Sequence, residues 1–191
     1  AVLGASNVRT SLHPHGIVRP FVATVDNLGR AQAPVLMWPV KPTPGRFSTT
    51  APAAGQAATI APANHQRYAP FVAMAEAVDS ARAATLYRRL YPLFQQAYEE
   101  LGYPGRYFND RLVQVLDQLI ATPVPSAPLA VRLVEVKGPM PSSRPWVRYE
   151  FADPALESLS SGQKILLRMG PEHQRRLQAQ LKAFRQHVAK R

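Results

Sequence analysis

Apolar positions recur along this chain mostly at three- and four-residue spacing, the period of helices with one buried face. The longest such stretch covers about residues 81–101 and carries two adjacent stripes. One is Leu86, Leu90, Leu93, Ala97 and Leu101; the other is Tyr87, Tyr91, Phe94 and Tyr98. Together they predict a core helix with a wide apolar face, capped by Asp79 or Ser80 and kinked at Pro92, which has no N–H to bond and crowds the preceding turn. Gly102 and Pro104 stop it. Leu112, Val113, Leu116, Leu119 and Ile120 predict a second helix over about 109–121, with Asn109 as its N-cap, Phe108 and Val113 as a hydrophobic staple, and Thr122-Pro123 as its end. So short a join makes the two helices antiparallel neighbours. This hairpin is expected to form the body of the molecule by burying its leucine and tyrosine sides.

The flanks are read the same way. Ile17, Phe21, Val25 and Leu28 share one helical face over 16–28, with Pro20 tolerated in the first turn. Pro34, Pro39, Pro42, Pro44, Pro52 and Pro62 exclude helix from most of 31–63. Within that span Val35–Val40 is an extended apolar run, and 46–49 can pair with 58–60 around a small-residue tip at 50–57. Asn64 is the expected cap of a helix over 65–77. Residues 129–136 and 146–151 alternate with β-branched and aromatic enrichment and predict two paired strands. Asp153-Pro154 opens a short helix, Ser160 or Ser161 another, and Gly170-Pro171 the last, which carries the narrow stripe Leu177, Leu181, Phe184 and Val188.

The pattern describes a mainly α (α+β) fold built on the central antiparallel hairpin with one small β-hairpin element. An irregular arm over 1–14 precedes a single helical domain over 15–191, interrupted by the Pro-rich segment. Hydrophobic content of 46% supports a real core, and 19 prolines impose many breaks. Cysteine is absent, which excludes disulfides and thiol catalysis. The formal charge of +11 favours anionic partners without choosing among nucleic acid, lipid headgroups and acidic proteins.

No residue set demands a reaction. His13 and His15 lack converging ligands for a metal, so no metal or cofactor site is expected. Asp110 and Asp117 lie two helical turns apart and read as first-turn dipole chemistry and a solvated face rather than as a catalytic carboxylate pair. Ser160–Lys164 lacks the spacing of a phosphate loop and reads as helix capping. The sharper signal is the crowding of tyrosine and arginine near the hairpin. Tyr87, Arg88, Tyr91, Tyr98, Tyr103, Tyr107 and Arg111 form a candidate binding groove for an extended peptide or glycan, weighed against a plain core helix. Arg175, Arg176, Lys182 and Arg185 form a candidate basic surface on the last helix, weighed against a solvated outer face. No aromatic residue interleaves with those bases, which disfavours nucleic acid.

Four blocks taken together carry a family resemblance: Phe21–Leu28, Leu86–Pro104, Phe108–Val113, and Tyr149–Leu156 with Gly162–Gly170. In this order they resemble the domain of unknown function 3014 family of proteobacteria. The resemblance implies a periplasmic domain anchored in the inner membrane by one N-terminal helix and a Pro/Ala-rich spacer, neither of which lies within these 191 residues. It supplies no catalytic residue. The expected function is therefore a non-catalytic envelope module that binds a protein or an anionic envelope component. An enzyme acting on an envelope polymer and a basic nucleic-acid-binding scaffold are the competing classes.

Overall fold

The computed structural model describes residues 16–32, 43–50, 57–134 and 145–189. The expected 1–14 arm, the Val35–Val40 run, most of the 50–57 tip, the 138–144 turn, His13 and His15 lie outside the described residues. Among the described residues seven helices and two short strands follow in order: α1 (Val18–Leu28), α2 (Ala63–Glu76), α3 (Ser80–Glu100), α4 (Phe108–Ile120), β1 (Val131–Leu133), a 3-10 turn (Pro145–Val147), β2 (Tyr149–Phe151), α5 (Pro154–Glu157), α6 (Ser161–Arg168) and α7 (Pro171–Val188). The fold is mainly helical with one small antiparallel sheet, as the spacing predicts.

Several helix starts follow the expected chemistry. Asp79 accepts from the Arg82 amide, Asp153 from the Ala155 amide, and Ser160 forms a reciprocal capping box with Gln163. Gly162, inside the turn that superficially suggests phosphate binding, is a packing residue. A Cβ there would come within 2.7 Å of Leu119 and 3.0 Å of the Leu28 carbonyl.

Other starts differ from expectation. Asn109 does not cap α4. The helix begins one residue earlier, at Phe108, whose amide donates to Gln95 Oε1 of α3 at 2.9 Å. Phe108 is fully buried at the centre of the aromatic core rather than serving as a staple outside the helix. Asn109 instead accepts from the Tyr87 hydroxyl at 3.1 Å and donates to the Val188 carbonyl at 3.3 Å. Asn64 likewise lies inside α2, fully buried, where it accepts from the Ser48 amide at 3.0 Å and donates to the Ala61 carbonyl at 3.0 Å. Both amides tie a helix to a distant segment, a task that outcompetes capping when the side chain is buried.

The two stripes of α3 separate. Tyr87, Phe94, Ala97 and Tyr98 are buried, whereas Leu86, Leu93 and Leu101 are 43%, 49% and 40% exposed. The tyrosine side faces the core, and the leucine side largely faces solvent. Phe94 packs on Phe21 of α1 and on Phe108, with ring centroids 5.2 and 6.0 Å apart. α3 runs unbroken through Pro92. The arms of the hairpin are neighbours, but each packs more extensively on other helices, α3 on α1 and α7, and α4 on α7 and α1.

α7 therefore shares the central position expected of the hairpin alone. Its Leu177 and Val188 are buried, and Leu181 and Phe184 pack against the same core. Its glutamines serve the ends of other helices. Gln178 Nε2 reaches the carbonyls of Leu119, Ile120 and Thr122 at 3.1, 3.1 and 2.8 Å. Gln180 Nε2 reaches those of Ala75, Glu76 and Val78 at 3.0, 3.1 and 3.0 Å. These carbonyls lie in the last turns of α4 and α2 or just beyond them, where no further helical N–H follows.

A smaller core of Ile60, Val131, Phe151 and Leu167 lies beneath the sheet. Val131 pairs with Phe151 and Leu133 with Tyr149, and single bridges add Thr49 to Ile60 and Thr59 to Ala130. The expected strand over 146–151 is half as long, because Pro145–Val147 is a 3-10 turn and Arg46 lies over the Trp146 ring at 4.1 Å.

Candidate functional site

The site begins with a carboxylate in an apolar place. Val22, Ala23 and Val25 of α1 are buried, and Asp26, one turn after Val22, is buried with them at 3% exposure. A buried carboxylate requires charge and hydrogen-bond partners. Arg111 of α4 supplies both. Its Nε donates to Asp26 Oδ1 at 2.9 Å and its Nη2 to the Asp26 backbone carbonyl at 2.7 Å. Arg30, four residues on and just past the end of α1, donates to Asp26 Oδ2 at 2.5 Å. The Tyr103 hydroxyl donates to the same oxygen at 3.1 Å and accepts from Arg30. Burial opposes the charge on Arg30, but Asp26 and Tyr103 outweigh it and raise the guanidinium pKa.

This cluster forms the inner wall of a cleft of about 740 Å³. Tyr98 and Tyr103 stack beside it, with centroids 4.5 Å apart and planes 18° from parallel. Burial, and then the Asp26 charge, pushes the Tyr98 phenol up. The outer wall comes from the α3–α4 loop and the first turns of α4: Gly105, Arg106, Tyr107, Asp110 and Gln114. Gly102 and Gly105, at φ +106° and +73°, allow the loop its left-handed turns. Tyr107 is 68% exposed, and Arg111 also donates to Gln114 Oε1 at 2.9 Å.

Of the predicted groove, Tyr98, Tyr103, Tyr107 and Arg111 meet here. Tyr87, Arg88 and Tyr91 do not. Tyr87 is buried, which pushes its phenol up, and it is bonded to Asn109. Tyr91 donates to Gln95 Oε1 at 3.0 Å, and Arg88 donates to the His187 carbonyl at 3.2 Å. Spacing alone did not reveal Asp26 and Arg30 as members. The available signal was a carboxylate on the buried stripe of the first helix with an arginine four residues later.

The predicted basic surface divides. Arg176 grips Glu76 of α2 at 2.8 and 2.5 Å, and Arg185 grips both oxygens of Asp117. These hydrogen bonds hold both carboxyls below their ordinary range. Arg175 and Lys182 are exposed. Among the described residues no three His, Asp or Glu side chains converge as metal ligands, and no helix is long and apolar enough to cross a membrane.

The family model described as "Protein of unknown function (DUF3014)" matches residues 17–185. The chain belongs to this family. The match spans α1 through most of α7, so the cleft of the DUF3014 domain is built wholly from residues inside the family region. No curated protein and no solved structure matches the chain.

Proposed function

We propose that this DUF3014 domain is a non-catalytic binding module of the bacterial cell envelope, facing the periplasm from an N-terminal membrane helix outside these residues. Its binding site is the cleft beside α1 and the start of α4. The observation that carries this reading is the complete engagement of Asp26 by Arg111, Arg30 and Tyr103 on the cleft wall. A buried carboxylate clamped by two guanidiniums and a phenol has its oxygens occupied and serves as a fixed support for its neighbours. Asp117, weighed with Asp110 as a catalytic carboxylate, is bound by Arg185, which lowers its proton affinity where a general acid needs it raised. The cleft instead offers a rigid polar floor, stacked phenols and an exposed tyrosine at the rim, a composition suited to recognition. The envelope location rests on the family resemblance.

A photo-crosslinking residue in place of Tyr107, in the anchored full-length protein in its own cells, tests both parts. A discrete envelope component should be captured from Tyr107 and not from Arg175 on α7. Capture of DNA or RNA, or equal capture from both positions, overturns the reading. Protease added to spheroplasts should degrade the domain; protection would remove the periplasmic location.

A further inference from the structure

The charges around the cleft are unequal in a way that specifies a ligand. Asp26 is already neutralised by the less exposed of its two guanidiniums. Arg111 is 18% exposed and holds both the Asp26 carboxylate and its backbone carbonyl. Arg30, 49% exposed, brings a second positive charge to the same acid and is held in place by Asp26 Oδ2 and the Tyr103 hydroxyl. Arg106 is exposed on the loop that lines the other side of the cleft, and among the described residues its guanidinium makes no hydrogen bond or ion pair. Asp110 is the second carboxylate on the rim. Three guanidiniums against two carboxylates leave one positive charge in surplus, carried on the open side by Arg30 and Arg106.

We propose that the cleft recognises a carboxylate-bearing peptide segment of a partner protein. Its carboxylate would be received by Arg30 and Arg106, and a neighbouring apolar side chain would lie on Tyr107. The inference rests on the cleft being the binding site. A planar carboxylate matches the fork of a guanidinium, and Arg30 is pre-ordered by its own partners, so little freedom is lost on binding. A single negative charge matches the surplus. A phosphate, with about two charges at neutral pH, overshoots it and meets the Asp110 carboxylate on the same rim. An opening of this size, recessed behind one loop, takes a short side-chain-bearing segment, whereas a nucleic-acid backbone demands a continuous row of cations.

The test titrates the isotopically labelled full chain with N-acetylated, C-amidated hexapeptides of leucine and glycine carrying one, two or three glutamates. Their glutamine counterparts, inorganic phosphate and phosphatidylglycerol vesicles run in parallel. Glutamate peptides should move the Arg30, Arg106 and Tyr107 signals and bind at least about tenfold more tightly than the glutamine set, the effect of one charge-assisted pair. Arg106→Gln and Arg30→Gln should each remove that preference, while Arg175→Gln and Lys182→Gln leave it intact. Arg106 is exposed, so its variant keeps the test valid if Arg30→Gln perturbs folding. Equal binding of glutamine peptides, stronger binding of phosphate or vesicles, or equal loss in the α7 variants overturns the carboxylate assignment. Glutamine peptides that move only the cleft signals would leave the binding module standing with a different ligand. No peptide moving those signals, together with crosslinks that arise away from Tyr107, would remove both.

Discussion

Arg111 holds Asp26 by two groups at once, its Nε on the carboxylate at 2.9 Å and its Nη2 on the backbone carbonyl at 2.7 Å, across 85 residues of sequence. The pair fixes α1 against α4 and sets the floor of the cleft. Both partners are largely withdrawn from water, and among the described residues Arg111 pairs with no other carboxylate, so removing Asp26 strands its guanidinium without a counter-charge. Asp26→Ala should therefore destabilise the domain by about 3–5 kcal/mol in urea unfolding. Asp26→Ala combined with Arg111→Met should recover much of that loss, since the stranded charge is gone. A single variant as stable as the parent would show that the pair does not organise the cleft.

Gly29 makes that contact possible. It follows α1 with an ordinary φ of −81°, so no left-handed conformation calls for glycine there. The requirement is space. A Cβ would lie 2.8 Å from Arg111 Nη2 and 3.0 Å from Val115 Cγ2. Arg111 cannot swing aside without leaving Asp26. Gly29→Ala should cost about 1–3 kcal/mol, the usual range for overpacking. In a double-mutant cycle with Arg111→Ala the two costs should fall well short of additive, because both act through the same guanidinium. Full additivity would place the strain elsewhere.

Helix placement was legible because long periodic stretches, capping residues and Gly-Pro stops agree with one another along this chain. The inward face of α3 was not. Its leucine and tyrosine stripes have the same period and lie side by side, so hydropathy cannot rank them. Partners distant in sequence decide the matter: Phe21 and Phe108 supply rings for Phe94, and Asn109 supplies an acceptor for the Tyr87 hydroxyl. The cleft was half legible for the same reason. Tyr98, Tyr103, Tyr107 and Arg111 cluster in sequence, whereas Asp26 and Arg30 reach them only through the packing of α1 on the hairpin. The cap-like role of Gln178 and Gln180 depends wholly on where α7 lies, which no local pattern reports.

The orientation of α3 gives a contrast between adjacent residues. Phe94 is 7% exposed and central to the ring cluster, while Leu93 is 49% exposed. Phe94→Ala should cost about 3–5 kcal/mol, from lost burial and the cavity left behind. Leu93→Gln should stay within about 0.5 kcal/mol of the parent, as surface changes do. Thermal and urea unfolding of the two variants side by side read this directly, and reversed magnitudes would turn the helix over.

A pH response follows from the junction of α2 and α7. His65 packs on Gly170, where a Cβ would come within 2.5 Å of its ring, and His173 faces it from the first turn of α7. Burial first, and then the His173 charge, lowers the His65 pKa below its ordinary value. In the window between the lowered folded value and the unfolded value near 6.5, the unfolded chain binds more protons than the folded one. The stabilisation from a neutral His65 is therefore present above about pH 6.5 and is lost as pH falls through the folded value. The urea midpoint should drop on acidification from pH 7.5 to 5, ahead of the range where Asp and Glu protonate. His65→Phe keeps a ring against Gly170 and removes the proton site, so its midpoint should fall less over the same range. An identical fall in parent and variant would assign the response to other groups.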